Sequence, residues 1–158
     1  MAMYCDIFEP SGDVNESLER LSKVFAPLYG RAWEEDKKAT YEGKPFDPSI
    51  PTIARMWLDK ALKIFIVYDG PMGKPIGFLM GAVFRPMPYQ ASVFQIDDWY
   101  TGGDPVMQDI LFGHVKQAIR YIGCDEIWVT DNIGRVPDMT DTTWKLSNEF
   151  SMKRFTRK

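Results

Sequence analysis

The first thirty residues combine a short apolar run with a helical repeat. Residues 5–10 (CDIFEP) are typical of a short strand ended by a proline. From residue 13 to 30, apolar side chains recur every three or four positions, and Asp13 has capping-box spacing to Glu16. This pattern predicts an amphipathic helix whose regular hydrogen bonding is disturbed at Pro27.

The middle of the chain changes from helical to strand-like patterns. Residues 31–49 are charged and interrupted by glycine and proline, which predicts a helix end and an exposed loop. Pro51 is suited to the first turn of a second helix over 51–62. Two apolar runs, 63–69 (KIFIVYD) and 76–84 (IGFLMGAVF), flank a segment rich in glycine and proline that is typical of a turn. They therefore predict a hairpin buried on both faces.

A strand, a long helix and a second strand are predicted in the next part. Residues 91–97 (ASVFQID) and 125–131 (DEIWVTD) are the predicted strands, and the helix runs from about Pro105 to Ile122 and is ended by Gly123. Short links of this kind are typical of a βαβ unit with parallel strands. One face of the helix is apolar and should pack on the sheet: Met107, Leu111, Val115, Ala118 and Ile122.

The pattern at the C-terminal end allows more than one structure. Residues 140–150 (TDTTWKLSNEF) fit a short helix, and 150–158 (FSMKRFTRK) fit a last strand. A two-stranded hairpin fits the same residues. The basic residues of this tail are consistent with a solvated end of the chain.

Length, composition, net charge and cysteine content limit the class of protein. A chain of 158 residues with 45% hydrophobic residues fits one domain, 1–158, with a substantial core. The net charge of −3 gives no overall attraction to nucleic acid or to an anionic membrane surface. Cys5 and Cys124 belong to no CxxC pair, and no apolar stretch has the length of a membrane span, so a cytoplasmic protein is expected.

The stretch Ile96 to Phe112 (IDDWYTGGDPVMQDILF) is the main candidate for chemistry. A helix N-terminus that follows glycines can cradle a phosphate, because its N–H groups are unpaired and its dipole is positive. Asp104 followed by Pro105 is also a good helix cap and first-turn pair. A phosphate loop and a well-capped turn are both compatible with this pattern.

Two segments resemble the GCN5-related N-acetyltransferase (GNAT) family. Residues 96–102 (IDDWYTG) are similar to the start of its signature, a strand that leads into a glycine-rich loop and a helix. Residues 118–129 (AIRYIGCDEIWV) are similar to the end of that helix and the strand that follows. The resemblance implies an α/β fold of the α+β kind, with a mixed central sheet, antiparallel N-terminal strands, a βαβ unit and helices on both faces.

The resemblance also implies a cofactor and its site. Acetyl-CoA would place its pantetheine along the backbone of Ile96 and Asp97, and its pyrophosphate on the N–H groups of Thr101, Gly102 and Gly103. Family members usually carry Arg where Thr101 stands and further glycines after it. The contact needs only main-chain amides, so the resemblance still implies acetyl-CoA binding.

The base and the acid of an acetyl transfer are less evident. The glutamate and the tyrosine that many family members use are absent, which leaves Asp97 or Asp98 as the base, acting directly or through water. Adjacent carboxylates raise one another's pKa, but neighbouring strand residues point to opposite faces, so only one can reach a cleft. His114 and Cys124 fit packed core positions, and this set of residues predicts no metal site.

Two functions therefore remain open. The first is an acetyl-CoA-dependent N-acyltransferase that acts on an amine of a small molecule or a protein. The second is a catalytically degenerate protein of the same fold that serves as a binding or assembly module. In its small size, the chain also resembles acetyltransferase-like proteins of bacteriophages. A short last strand would leave an exposed sheet edge, which could pair two copies into a homodimer.

Overall fold

A mixed β-sheet forms the centre of the protein. The computed structural model describes residues 2–37, 47–86, 90–129, 136–147, 155 and 157. Within them, the strands are β1 (Tyr4–Ile7), β2 (Leu62–Tyr68), β3 (Pro75–Phe84), β4 (Val93–Tyr100) and β5 (Glu126–Val129). They lie side by side in chain order, and only β4 and β5 pair in parallel. The predicted hairpin and the predicted parallel βαβ unit are both confirmed.

Helices cover both faces of this sheet. They are α1 (Val14–Arg20), α2 (Ala26–Ala32), α3 (Ile50–Leu58) and α4 (Pro105–Ile122). Asp13 caps α1 by accepting a hydrogen bond from the Glu16 N–H, as the capping-box spacing predicts. None of the described helices has the length and apolar character needed to cross a membrane.

The first helical stretch is interrupted at the predicted place. Residues Leu21–Phe25 form a π-helical turn, and Pro27 occupies the first turn of α2 directly after it. A proline cannot donate a main-chain hydrogen bond and clashes with the carbonyl four residues earlier, so the wider turn accommodates it. A second π-helical turn, Trp33–Lys37, extends the helix beyond its predicted end. Residues 38–46 of the predicted loop lie outside the described residues.

Two hydrophobic cores lie on opposite faces of the sheet. The first core packs the first π-helical turn, α2 and α3 on the sheet and includes Leu21, Phe25, Leu28, Trp57, Ile64, Ile66, Phe78, Met80 and Tyr100. The second core packs α4 on the other face and includes Phe65, Val67, Leu79, Phe94, Ile96, Leu111, Phe112, Val115 and Ile119. Strands β2 and β3 contribute to both cores, so they are buried on both faces as their apolar runs predict.

Three predicted details are wrong. Ile122 is 41% exposed, because the buried stripe of α4 runs through Ile119 and its last buried residue lies one turn before the end of the helix. Strand β4 does not end at Asp97 but continues to Tyr100, where it pairs with β3. The predicted helix over 140–150 is absent from its described part, 140–147, where Asp141 instead closes a turn by accepting hydrogen bonds from the N–H groups of Thr143 and Trp144. The last strand predicted over 150–158 lies mostly outside the described residues, and so does the second half of the alternative hairpin.

Candidate functional site

A β-bulge marks the middle of β4. Met80 pairs with Asp98, but the next residue of β3, Gly81, pairs with Ile96, so Asp97 is an extra residue without a partner on β3. On the other side of β4, the described part of β5 ends at Val129, opposite Ile96. The backbone at Asp97 therefore stands outside the register that joins β4 to β3.

The two aspartates of the bulge occupy different surroundings. Asp98 lies opposite Met80, whose side chain belongs to the first core, so Asp98 faces the side covered by the first π-helical turn, α2 and α3. Its carboxylate accepts a hydrogen bond of 2.9 Å from the N–H of Trp99. Asp97 is exposed, yet partial desolvation raises the pKa of its carboxyl above 3.8, and the charge of Asp98 raises it further.

Residues 101–104, the glycine turn, connect β4 to α4. Gly102 and Gly103 have φ angles of 59° and 77°, in the left-handed region that favours glycine. The Asp104 N–H donates a 3.0 Å hydrogen bond to the Thr101 carbonyl and closes the turn. A side chain at Gly103 would meet no atom within 4 Å, so this part of the turn faces open space.

Asp104 caps helix α4, as the Asp-Pro pair predicts. Its carboxylate accepts hydrogen bonds of 2.9 Å from the Val106 N–H and 3.3 Å from the Met107 N–H. Pro105 has no N–H to offer, and the Gln108 N–H donates to the Asp104 carbonyl. The first-turn donors of α4 are therefore used by the protein itself.

The glycine amides differ from those of the helix. The N–H groups of Gly102 and Gly103 donate no hydrogen bond to any residue within the described ranges of the chain. Two adjacent amides in a left-handed turn form a concave group of donors of the kind that binds anions. An anion could be bound here only beside the carboxylate of Asp104, which would repel it.

A hydrogen-bonded pair of residues that the sequence did not indicate lies next to the glycine turn. The Tyr100 hydroxyl donates a hydrogen bond to the carboxylate of Glu35, on the second π-helical turn. The Tyr100 side chain is buried, and its oxygen would lie 3.5 Å from a Cβ atom placed on Gly102. The partners are 65 residues apart, so no local pattern could reveal them. Once Tyr100 is known to be buried, its hydroxyl requires a hydrogen-bond partner, and this requirement points to Glu35.

The remaining candidates lie away from this turn. His114 is half-buried, meets the Phe65 ring edge-on at 5.9 Å, and lines a groove of about 580 Å³ between α4 and residues 136–147. Cys124 is buried, as predicted, and desolvation raises the pKa of its thiol. Desolvation also raises the pKa of Cys5, to about 12, so both thiols are poor nucleophiles. Within the described residues, no three His, Cys, Asp or Glu side chains are grouped as metal ligands.

Solved structures share this fold, although no protein-family model and no curated protein sequence matches the chain. An aminoglycoside acetyltransferase from an uncultured soil metagenomic sample has a TM-score of 0.60 at 15% identity, covering 96% of this chain and 95% of that one. The ribosomal-protein-alanine N-acetyltransferase of Brucella melitensis biovar Abortus 2308 has a TM-score of 0.59 at 14% identity, covering 98% and 100%. A second soil metagenomic aminoglycoside acetyltransferase has a TM-score of 0.57 at 18% identity, covering 84% and 82%.

These likenesses cover nearly the whole chain, so they concern the complete arrangement of sheet and helices. At such low identities they show the fold alone. The fold expected from residues 96–102 and 118–129 is confirmed, including the mixed sheet with helices on both faces. The residues that would bind a cofactor or carry a reaction depend on the geometry of the site.

Proposed function

We propose, from the premise that this chain has the fold of the GCN5-related N-acetyltransferases, that it is an acetyl-CoA-dependent N-acyltransferase. The acceptor would be an amine of a small molecule or of a protein. The observation that carries the proposal is the combination of the bulge at Asp97 with the amides of Gly102 and Gly103, which have no hydrogen-bond acceptor among the residues that the structure describes. The neighbours of known activity, which include aminoglycoside and ribosomal-protein-alanine acetyltransferases, suggest the acceptors to test first.

In this proposal, acetyl-CoA would bind through main-chain groups of this region. The N–H groups of Gly102 and Gly103, and that of Thr101 before them, would hold the diphosphate of coenzyme A, and the backbone of Ile96 and Asp97 would run beside the pantetheine. When bound, acetyl-CoA supplies an acetyl group activated as a thioester. The open space at Gly103 supports this assignment, and the adjacent carboxylate of Asp104 opposes it.

Asp97 is the better of the two candidate bases. It is exposed at the bulge, whereas Asp98 faces the helix side and accepts a bond from the Trp99 N–H. A raised pKa makes a carboxylate a stronger base toward an incoming ammonium group. We assign the removal of the amine proton to Asp97, directly or through one water.

Replacing Asp97 by asparagine is expected to lower kcat about 100-fold and to leave the Kd for coenzyme A within about twofold, because the change removes the base without altering the glycine turn. Release of free thiol from acetyl-CoA, with an aminoglycoside or an alanine-terminated peptide as acceptor, measures kcat. Since the pKa of Asp97 is raised, the acid limb of the wild-type pH profile should lie above pH 3.8. Asp98→Asn is the matched control, and an equal loss in both variants would contradict the assignment.

A binding or assembly module without turnover is the second candidate. It is favoured by the Asp104 carboxylate, which takes the N–H groups of Val106 and Met107 and places a negative charge beside the proposed diphosphate site. In this function the glycine turn would be only a capped connection between β4 and α4. The two functions make opposite predictions for variants of Asp104.

Replacing Asp104 by asparagine should tighten coenzyme A binding about tenfold, which equals about 1.4 kcal/mol. Asparagine caps a helix nearly as well as aspartate, so the charge is removed while the cap remains. Calorimetric titration with coenzyme A measures the change. Asp109→Asn, one turn further along α4, is an exposed control with the same change in net charge. If coenzyme A binds neither the wild type nor Asp104→Asn, the module is supported instead.

A further inference from the structure

A side-chain hydrogen bond connects the strand before the glycine turn to the first helical stretch. Tyr100 is the last residue of β4, and its buried ring belongs to the first core, 6.5 Å from the Phe78 ring. Its hydroxyl reaches the carboxylate of Glu35, which lies on the surface in the second π-helical turn. The bond therefore spans from the sheet to the end of the helix that covers it.

The same hydroxyl lies directly beside the glycine turn. A Cβ atom on Gly102 would be 3.5 Å from the Tyr100 oxygen and 3.8 Å from the ring carbon that carries it. The space that a side chain at position 102 would enter is therefore bounded by the Tyr100 hydroxyl, which places this group next to the turn. The hydrogen bond to Glu35 helps to fix the orientation of the tyrosine ring, because breaking a hydrogen bond of a buried hydroxyl costs free energy.

We propose that Glu35 and Tyr100 are positioning residues that hold the glycine turn in the shape in which the Gly102 and Gly103 amides bind the diphosphate of the acyl donor. This inference rests on the proposed function for its ligand, and on the Glu35–Tyr100 contact for its mechanism. It also implies that a change at Glu35, at the end of the first helical stretch, alters the affinity of the glycine turn for the acyl donor.

Hydrogen exchange tests the mechanism without any ligand. The Asp104 N–H is bonded to the Thr101 carbonyl across the turn, so its exchange rate reports how often the turn opens. In Tyr100→Phe this rate should rise about tenfold, the effect of losing one hydrogen bond of about 1.4 kcal/mol. Tyr68→Phe, a half-buried tyrosine at the end of β2, is the matched control and should leave the rate unchanged.

Binding of coenzyme A tests the consequence. Tyr100→Phe and Glu35→Ala should each raise the calorimetric Kd about tenfold, whereas Glu35→Gln should bind within about twofold of the wild type, because its amide oxygen still accepts the tyrosine bond. Pantetheine, which lacks the diphosphate, should bind all four proteins equally in a thermal-shift assay at millimolar concentration.

The outcomes separate this inference from the proposed function. An unchanged Asp104 exchange rate in Tyr100→Phe, or a Glu35→Gln variant as impaired as Glu35→Ala, would overturn the positioning role. A wild type that binds no coenzyme A would instead overturn the proposed function, and the exchange rates would still decide whether Glu35 and Tyr100 hold the turn.

Discussion

Replacing Gly102 by glutamate should abolish the stabilisation of this protein by acetyl-CoA. For the wild type, acetyl-CoA at one hundred times its Kd should add about 2.7 kcal/mol, a rise in Tm of roughly 5–10 °C for a chain of this size. A glutamate at position 102 would put a carboxylate beside the Gly103 amide and repel the diphosphate. It would also force a side chain onto a left-handed residue next to the Tyr100 hydroxyl.

Two control variants separate charge from strain. Gly102→Ala has the same backbone strain without the charge, so it should lose part of the shift at most. Gly12→Glu adds the same charge at a place where a Cβ atom would meet nothing within 4 Å, and it should keep the full shift. A normal shift in Gly102→Glu would show that acetyl-CoA does not bind at the glycine turn. Differential scanning fluorimetry with and without acetyl-CoA gives all four values.

Replacing Trp57 by alanine should cause the largest loss of stability, about 3–5 kcal/mol. Trp57 is 1% exposed, and its ring stacks on Phe8 with centroids 5.2 Å apart. Its indole N–H also donates a buried 2.6 Å hydrogen bond to the Phe8 carbonyl, which fastens α3 to the chain just after β1. Alanine would leave both a cavity and an unpaired carbonyl, out of a total stability of about 5–15 kcal/mol for a typical domain.

Urea denaturation of Trp57→Ala and Trp57→Phe measures the two contributions. Phenylalanine retains the stacking on Phe8 but cannot donate the hydrogen bond, so it should cost about 1–3 kcal/mol, the penalty of one unpaired buried group. A loss below about 1 kcal/mol in Trp57→Ala would mean that α3 is not held by this contact.

The helix and strands of the βαβ unit could be predicted because their signals are local. Leu111 and Val115 repeat at helical spacing, and Gly123 adopts the left-handed conformation that ends the helix, with a φ of 98°. Asp104 could likewise be assigned as the cap from its position before Pro105. Each of these features depends on residues within one or two turns of one another.

The features that sequence reasoning missed depend on distant parts of the chain. The bulge at Asp97 exists only relative to the register of β3, and neither strand encodes that register by itself. The Tyr100–Glu35 contact joins residues whose separation is set by how the first helical stretch packs on the sheet. Ile122 continues the helical spacing of the apolar face, yet it is 41% exposed, because the burial of each helix turn depends on which parts of the chain pack against it.

The hydrogen bonds of Asp104 decide which amides remain for a phosphate and so bear on the choice between the two candidate functions. A phosphate loop built on a helix N-terminus would use the first-turn amides of α4, and Asp104 already occupies those of Val106 and Met107. The proposal therefore depends on the amides of the turn itself, at Gly102 and Gly103. This makes the contact smaller than a full helix-end site and gives the Asp104 charge a direct influence on affinity.

The most direct test is an NMR titration of the ¹⁵N-labelled wild type with acetyl-CoA. If the glycine turn binds the diphosphate, the amide resonances of Gly102 and Gly103 should move most and should saturate together, with smaller shifts at Ile96 and Asp97. If these two glycine resonances remain in place at millimolar acetyl-CoA, the turn does not bind the donor and the account is contradicted.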